Sequence, residues 1–370
     1  MINLFEIRTF RTKRLDAIHV IPGDGPNIIV NEVVKSTKVR WGVITLFSKD
    51  KSTPEALQTL NIPHLSFALS NQNIILEVFF MFFFIIWNRP RIIFLHSFYP
   101  SLLAIPLRFL TPKTLFIPVR HHNMVHHLQN RTLAVLADKM ISFFSKKIVA
   151  VSNAVKSTLI EEGCDSRKIS VIHNGLSVNM NLVKRTVKQD NTLRLLAVGR
   201  LDWQKNYEGL IQICDLLRNR GVNFEVNILG VGSLEYTNHI KGLVKDLDLE
   251  TNVIFHGRKE NVLSWYQDSD IFVHTALDEA CPLVLIEALY SGIPIVSSNR
   301  GGCEEVLDGI TKSFDTNDLS SFVDEIIHIS NNLEVYRASL HNKSLAISKK
   351  FSAQRMAESY AGLVEDAFNV

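Results

Sequence analysis

The chain has 370 residues, 46% apolar and 21% charged, with a formal net charge of +3. So small a charge gives no argument for nucleic acid as a partner, and the length favours two ordinary domains over a single core. The four cysteines, Cys164, Cys214, Cys281 and Cys303, are widely spaced with no CxxC pair; this leaves no pattern for a disulfide or metal framework and fits a reducing, cytoplasmic setting. The first residues lack the basic, apolar and small-residue regions of a secretion signal, so export is not expected.

Apolar runs alternate with helical patterns along the chain, which predicts parallel α/β sheets. Arg8, Arg11, Lys13 and Arg14 are interleaved with Phe5 and Phe10; such a segment is either a solvated tail or a contact for anionic lipid. A strand is expected over 17–21, closing on Pro22-Gly23-Asp24-Gly25-Pro26, then a helix over 27–36 and strands over 41–47 and 64–68. The stretch 74–87, IILEVFFMFFFIIW, holds one charge, Glu77. As a helix it is about 21 Å long, short of the roughly 30 Å hydrocarbon core. It therefore reads as a core helix or as one seated in a bilayer surface.

Strands are expected over 91–96 and 114–119, with a helix over 101–110 between them, and the second strand runs into Arg120-His121-His122. A helix over 129–144, a strand over 147–151, a helix over 153–162 capped by Ser152 and a strand over 168–172 complete the first series. The polar stretch Ser177 to Asn191 lacks periodicity and is the expected linker. A second series follows, with strands over 193–198, 224–229, 253–256, 271–274 and 293–298 and helices over 207–219, 236–247, 262–267, 318–329 and 352–368. The expected domains are 1–175 and 192–350, a linker 176–191 between them, and a helix in 351–370 returning to the first domain. Two open α/β halves imply a cleft with ligand groups at the C-terminal strand ends.

The chemistry concentrates in DEACPLVLIEALYSGIPIVSSNRGGCEEV, from Asp278 to Val306. Glu279 and Glu287 flank seven residues, and Pro282 marks a helix start near Cys281 or Pro282. The free N–H groups and positive dipole end of such a start suit a phosphate, and the strand that follows opens into Gly301-Gly302, where backbone can approach a ligand. Earlier, Arg200 and Lys205 stand five residues apart after a strand, two cations able to hold a diphosphate from two sides. Taken singly these are ordinary: an Arg and a Lys after a strand are commonly a surface pair, and glutamates eight apart are usually solvated. Gathered in one domain they describe a site for a nucleotide carrying a sugar. His121, His122, His126 and His127 form the one histidine cluster; adjacent loop histidines diverge and no Asp or Cys completes the set, so no metal is expected and the cluster is assigned to the acceptor side.

The segments AVSNAVKSTLIEEG, VIHNGLSV, AVGRLDWQKNYEGL, ILGVGSLE and VIFHGRKE through GGCEEV lie in one span, 150–306, that takes up more than a third of the chain. In this order and spacing they resemble the retaining glycosyltransferases of family four, with the GT-B fold of two Rossmann-like domains. The resemblance implies a nucleoside-diphosphate sugar donor, UDP- or GDP-linked, no cofactor, and a hydroxyl acceptor on a cell-surface or lipid-linked glycan at the inner face of a membrane. It implies that Arg200 and Lys205 hold the diphosphate, Glu279 lies at the transferred sugar and Glu287 binds the ribose. The backbone of Ala280, Cys281, Pro282 and Leu283 would approach sugar and phosphate. Gly199, Gly230, Gly257 and Arg258 fall in the donor loops, and Gly23 and Gly25 in a first-domain loop facing the diphosphate. His121, with His122 as the alternative, is the histidine near the reacting centre. Three positions depart from the pattern: Ala280-Cys281 replaces glycine and an aromatic, Asn206 replaces a glycine, and GDGPN lacks paired glycines. The implied reaction retains anomeric configuration through same-face attack. A nucleotide-sugar epimerase and an inactive nucleotide-sugar-binding protein are the other readings.

Overall fold

The computed structural model describes residues 15–23, 28–35, 38–46, 52–67, 74–177 and 191–368. The basic residues 8–14, Gly25 and most of the linker lie outside them. The chain divides into two compact units, Met1–Ser177 with Phe351–Val370, and Val178–Lys350.

The first unit holds a seven-stranded sheet. Its strands are β1 (Ala17–Pro22), β2 (Trp41–Leu46), β3 (His64–Phe67), β4 (Ile92–His96), β5 (Leu115–Arg120), β6 (Ile148–Ala150) and β7 (Ile169–Val171). The order is β3-β2-β1-β4-β5-β6-β7, all parallel, with Ala17 opposite both Trp41 and Ile92. Every residue of β2 and β4 is buried, because helices cover both faces, and this is why these strands read as unbroken apolar runs. The helices are α1 (Ile28–Val33), α2 (Ser52–Thr59), α3 (Ile74–Asn88), α4 (Phe98–Ala104), α5 (Thr132–Phe144) and α6 (Asn153–Glu161).

Two helices differ from expectation for local reasons. The helix expected over 101–110 ends as α at Ala104 and continues as a 3₁₀ turn, Ile105–Phe109, with a proline at its start, which lacks the N–H that an α-helix would use. The helix expected over 129–144 is preceded by a separate turn, Val125–Leu128, and Asn130 breaks the pair with a left-handed φ of 53°. In α3, Met81 and Ile85 are fully buried while Phe79, Phe83 and Trp87 stay exposed, so the helix is core on one side only.

The second unit is a six-stranded parallel sheet in the order β10-β9-β8-β11-β12-β13. Its strands are β8 (Leu193–Val198), β9 (Phe224–Leu229), β10 (Val253–Gly257), β11 (Ile271–His274), β12 (Ile295–Ser298) and β13 (Ser313–Phe314). Its longer helices are α7 (Tyr207–Asn219), α8 (Leu234–Asp246), α9 (Val262–Asp268), α10 (Leu283–Ser291), α11 (Leu319–Ser330) and α12 (Leu333–Lys350), and a short one, Cys303–Leu307, follows β12. Strand order reverses between β8 and β11, the switch point at which open sheets of this type bind ligands.

The last helix, α13 (Ala353–Asp366), belongs to the first unit and packs on α1. Its entry is fixed by backbone: Leu176 N–H donates to Phe351 O at 3.0 Å, and Ala353 N–H donates to Leu176 O at 3.2 Å. Gly175 permits this, since a Cβ there would lie 2.3 Å from Ser352 O.

Candidate active site

Two loops at the switch point of the second unit build the site. After β8, Gly199-Arg200-Leu201 leads to a 3₁₀ turn, Trp203–Lys205, capped by Asp202. Asn206 closes that turn with a left-handed φ of 52°, where the resembled family has glycine. Asparagine tolerates this conformation, and its side chain also works there: Oδ1 accepts from Gly209 N–H at 3.2 Å to cap α7, and Nδ2 donates to Thr275 O at 3.2 Å. Thr275 Oγ1 lies 3.1 Å from Lys205 O and 2.9 Å from Asn206 O, and Leu277 N–H donates to Gln204 O at 2.8 Å. Gln204 Nε2 donates to Asp278 O at 2.7 Å. The loop after β8 is thereby stitched to the loop after β11.

That stitching brings Lys205 to Glu279. The two are ion-paired, and His274 Nε2, at the end of β11, stands 3.2 Å from the same carboxylate oxygen. Burial by itself would raise the Glu279 pKa, but Lys205 and His274 hold it down at about 2. Glu279 is therefore a buried anion at neutral pH. Arg200 is arranged differently: its side chain is 70% exposed and, among the described residues, reaches Asp202 alone. Of the two expected diphosphate cations, one is turned inward to a carboxylate and one is open to solvent.

Helix α10 starts one residue later than expected. Pro282 is the residue before the first turn, with ψ at 109°, and no side chain caps the N-terminus, so the start offers backbone N–H groups as expected for an anion site. Ala280 and Cys281 are buried, and Ala280 has no positive φ, so its methyl group is tolerated there. Gly302 N–H donates to Glu279 O at 2.7 Å, and a Cβ on Gly302 would lie 2.2 Å from Ala280 O; the glycine after β12 thus lets two backbones meet behind Glu279. Glu287 is half-buried on α10, and Tyr266 OH on α9 donates to its Oε2 at 3.1 Å. Burial raises its pKa, opposed by the tyrosine hydrogen bond. Gly199 N–H donates to Leu229 O and Gly230 N–H to Gly257 O, linking the loops after β8, β9 and β10, and Arg258 is exposed beside them. His274 and Tyr266, which contact the two glutamates, are not assigned from the sequence: one reads as the last residue of a strand and the other as part of a short helix.

In the first unit Gly23 follows β1 and donates its N–H to Leu46 O at 2.5 Å. His121 and His122 diverge, as adjacent residues on a loop do. His121 Nε2 lies 2.8 Å from His96 Nδ1, whereas His122 Nε2 lies 3.0 Å from Asp138 Oδ2. Burial, then His122, lowers the His121 pKa to about 4. The expectation that no acid joins the histidine cluster is corrected: Asp138 on α5 brings its carboxylate to His122 and His126, all three groups offering ligand atoms within 4.8 Å of one another. Arg120 also stands 3.7 Å from Asp138, a fixed positive charge that opposes a metal ion beside it. Arg120 pairs with Glu162 through two nitrogens, at 2.6 and 2.8 Å, so this side of the unit is a network of buried ion pairs.

Two doubly wound parallel sheets in one chain are the architecture of the GT-B glycosyltransferases. Residues 180–342 match the family model of the glycosyl transferases group 1, and residues 40–179 match that of glycosyltransferase family 4. The chain belongs to this family of glycosyltransferases. It is 27% identical over 246 residues to an uncharacterized glycosyltransferase of Haemophilus influenzae, covering 66% of this chain and 68% of that one. It is 32% identical over 167 residues to the amylovoran biosynthesis glycosyltransferase AmsK of Erwinia amylovora, covering 44% and 41%. It is 25% identical over 241 residues to the UDP-Gal:alpha-D-GlcNAc-diphosphoundecaprenol alpha-1,3-galactosyltransferase of Escherichia coli, covering 60% and 62%. The chain thus spans less than two thirds of the latter two relatives. Its fold is similar to that of Anabaena HepE, solved in complex with UDP-glucose, with a TM-score of 0.81 at 17% identity over 95% of this chain and 99% of that one.

Proposed function

We propose that this glycosyltransferase moves a hexosyl group, with retention, from a nucleoside-diphosphate sugar to a hydroxyl of a lipid-linked or cell-surface polysaccharide precursor. The observation that carries this reading is the pairing of Lys205 with buried, ionised Glu279 beside an exposed Arg200. Arg200 is open to receive a diphosphate, and Lys205 can share its charge between that diphosphate and Glu279, while α10 adds backbone N–H groups. Charge that develops on the leaving phosphate meets groups already fixed in place. Glu279 is the acceptor for sugar hydroxyls and Glu287 for ribose hydroxyls. In same-face attack the acceptor oxygen bonds to the anomeric carbon as the bond to the diphosphate breaks, and the departing phosphate oxygen takes the acceptor proton. The UDP-glucose of HepE and the diphosphoundecaprenol acceptor in the name of the E. coli relative support the donor and acceptor classes.

The acceptor reading extends to a membrane surface, with the protein on its inner face. No helix among the described residues is long and apolar enough to cross a membrane. Yet α3, the 3₁₀ turn and α5 expose Phe79, Phe83, Trp87, Phe109, Leu133 and Phe143, each more than half accessible. Residues 74–147 hold nine lysines and arginines against two acids, Glu77 and the buried Asp138. Aromatic side chains bordered by an excess of cations fit an anionic lipid surface.

Arg200→Ala tests the donor reading. Because Arg200 is exposed, the apparent melting temperature should stay within about a degree, while kcat/KM for transfer from a UDP- or GDP-sugar should fall on the order of 100-fold. Wild-type turnover in this variant would refute the diphosphate role.

A further inference from the structure

A line of three histidines crosses the sheet of the first unit. His19 on β1 is fully buried, with its ring 4.9 Å from Trp41, 5.0 Å from Phe94 and 5.7 Å from Tyr360, centroid to centroid. Its Nδ1 lies 2.8 Å from Nε2 of His96, the last residue of β4, and Nδ1 of His96 lies 2.8 Å from Nε2 of His121, just beyond β5. The sheet dictates this alignment. His19 is in register with Phe94, so His96 is two residues further along the same face, and β5 lies next to β4.

Each nitrogen–nitrogen contact takes one proton, and each neutral ring carries one. All three N–H groups must then point the same way along the line, which leaves two arrangements. In one, His19 keeps its proton on Nε2, an atom that is buried and has no hydrogen-bond partner among the described residues. In the other, His19 Nε2 is a bare lone pair, Nδ1–H of His19 donates to His96, and Nδ1–H of His96 donates to His121. A buried N–H without an acceptor is the rarer and costlier defect. We propose that His19 and His96 are positioning residues that fix His121 in its neutral Nδ1–H form, so that it presents a hydrogen-bond donor, not a base, at the C-terminal end of the sheet. Burial keeps the line uncharged, lowering His19 to about 3 and His96 well below the ordinary histidine value, and lowering His121 to about 4 with a further contribution from His122. With the proton on Nδ1, His121 can donate to a hydroxyl or phosphate oxygen of a ligand and cannot take a proton from one at that atom. The functional meaning rests on the assignment of His121 to the reacting centre.

The test is long-range ¹H–¹⁵N correlation NMR of the full chain labelled with ¹⁵N-histidine, at pH 7, with the His121 signals identified by their loss in His121→Asn. The expected result is a neutral His121 protonated on Nδ1, changing to the Nε2–H form or to a mixture in His96→Phe. A wild-type His121 protonated on Nε2 overturns the proposal, and so does a tautomer that ignores loss of His96. The wild-type spectrum decides even if a variant fails to fold. Transfer kinetics form the second arm: in His96→Phe, kcat for transfer should fall about 10-fold or more with donor KM little changed. Normal transfer in His121→Ala would instead sink the assignment of His121 to the reacting centre, an outcome that leaves the tautomer result standing.

Discussion

Lys205 and Glu279 pair across two loops of the site, and this makes their chemistry measurable as stability. A carboxylate whose folded pKa is depressed stabilises the fold fully above its unfolded pKa, and the contribution disappears as pH falls towards the folded value. For Glu279 that window runs from the ordinary glutamate value of about 4.5 down to about 2. Between pH 5 and pH 3 the wild type should therefore lose about 2 kcal/mol that Glu279→Gln does not lose. Urea unfolding at the two pH values checks this, and parallel losses in both proteins would contradict it. The same pair changes how Lys205→Ala must be read, since removing the lysine strands a buried carboxylate. Arg200 is the cleaner probe because its guanidinium is exposed. Several residues of the site were legible in the sequence: Arg200, Lys205, Glu279 and Glu287 stand out by charge at fixed spacings after predicted strands. Asn206 was read only as a substitution for glycine; its left-handed backbone and two side-chain hydrogen bonds give the substitution a physical reason. His274, Tyr266 and Asp138 were not legible, because each acts through a partner brought close only by sheet or helix packing.

At the scale of elements, the strands of both sheets except the two-residue β13 could be read closely from their apolar runs, since strands buried on both faces leave an unbroken signal, whereas half-buried Ser313–Phe314 leaves none. Helices were less legible where the chain kinks or thins. Proline at 106 ends one expected helix early, the left-handed Asn130 trims the start of another, and α2 and α12, the latter with apolar residues scattered among polar ones, were not foreseen. The apolar helix α3 was readable as apolar but not as two-sided, because a run of phenylalanines carries no period to tell its core face from its outer face. Met81 and Ile85 supply the core face, and Phe79, Phe83 and Trp87 the outer one. If the outer face meets lipid, the full chain should float with vesicles containing anionic phosphatidylglycerol and not with neutral phosphatidylcholine vesicles. The double variant Phe83→Ser, Phe143→Ser should lose flotation about 10-fold or more, since each buried aromatic contributes roughly 1.5–3 kcal/mol. Both side chains are exposed, so its melting temperature should hold. Equal flotation of variant and wild type would remove these helices from membrane contact.

At the scale of the whole molecule, length predicted two domains and the alternation of apolar runs with helical patterns their α/β class, and both sheets are parallel and doubly wound, with a final helix that belongs to the first unit. The residues proposed to hold the donor gather at the switch point of the second sheet, and the histidine line lies in the first. What composition could not supply is the sugar, the base and the acceptor, because these depend on pocket shape and on single hydrogen bonds and not on charge balance. A donor bound only by the native state raises apparent stability, so a thermal-shift screen of UDP- and GDP-sugars selects the donor. The selected donor is then incubated with the full chain and a lipid-linked saccharide acceptor, and the anomeric configuration of the new linkage is read by NMR. The account predicts transfer to the acceptor with the donor's configuration retained. An inverted linkage, or conversion of the donor to its epimer with no transfer, would contradict it.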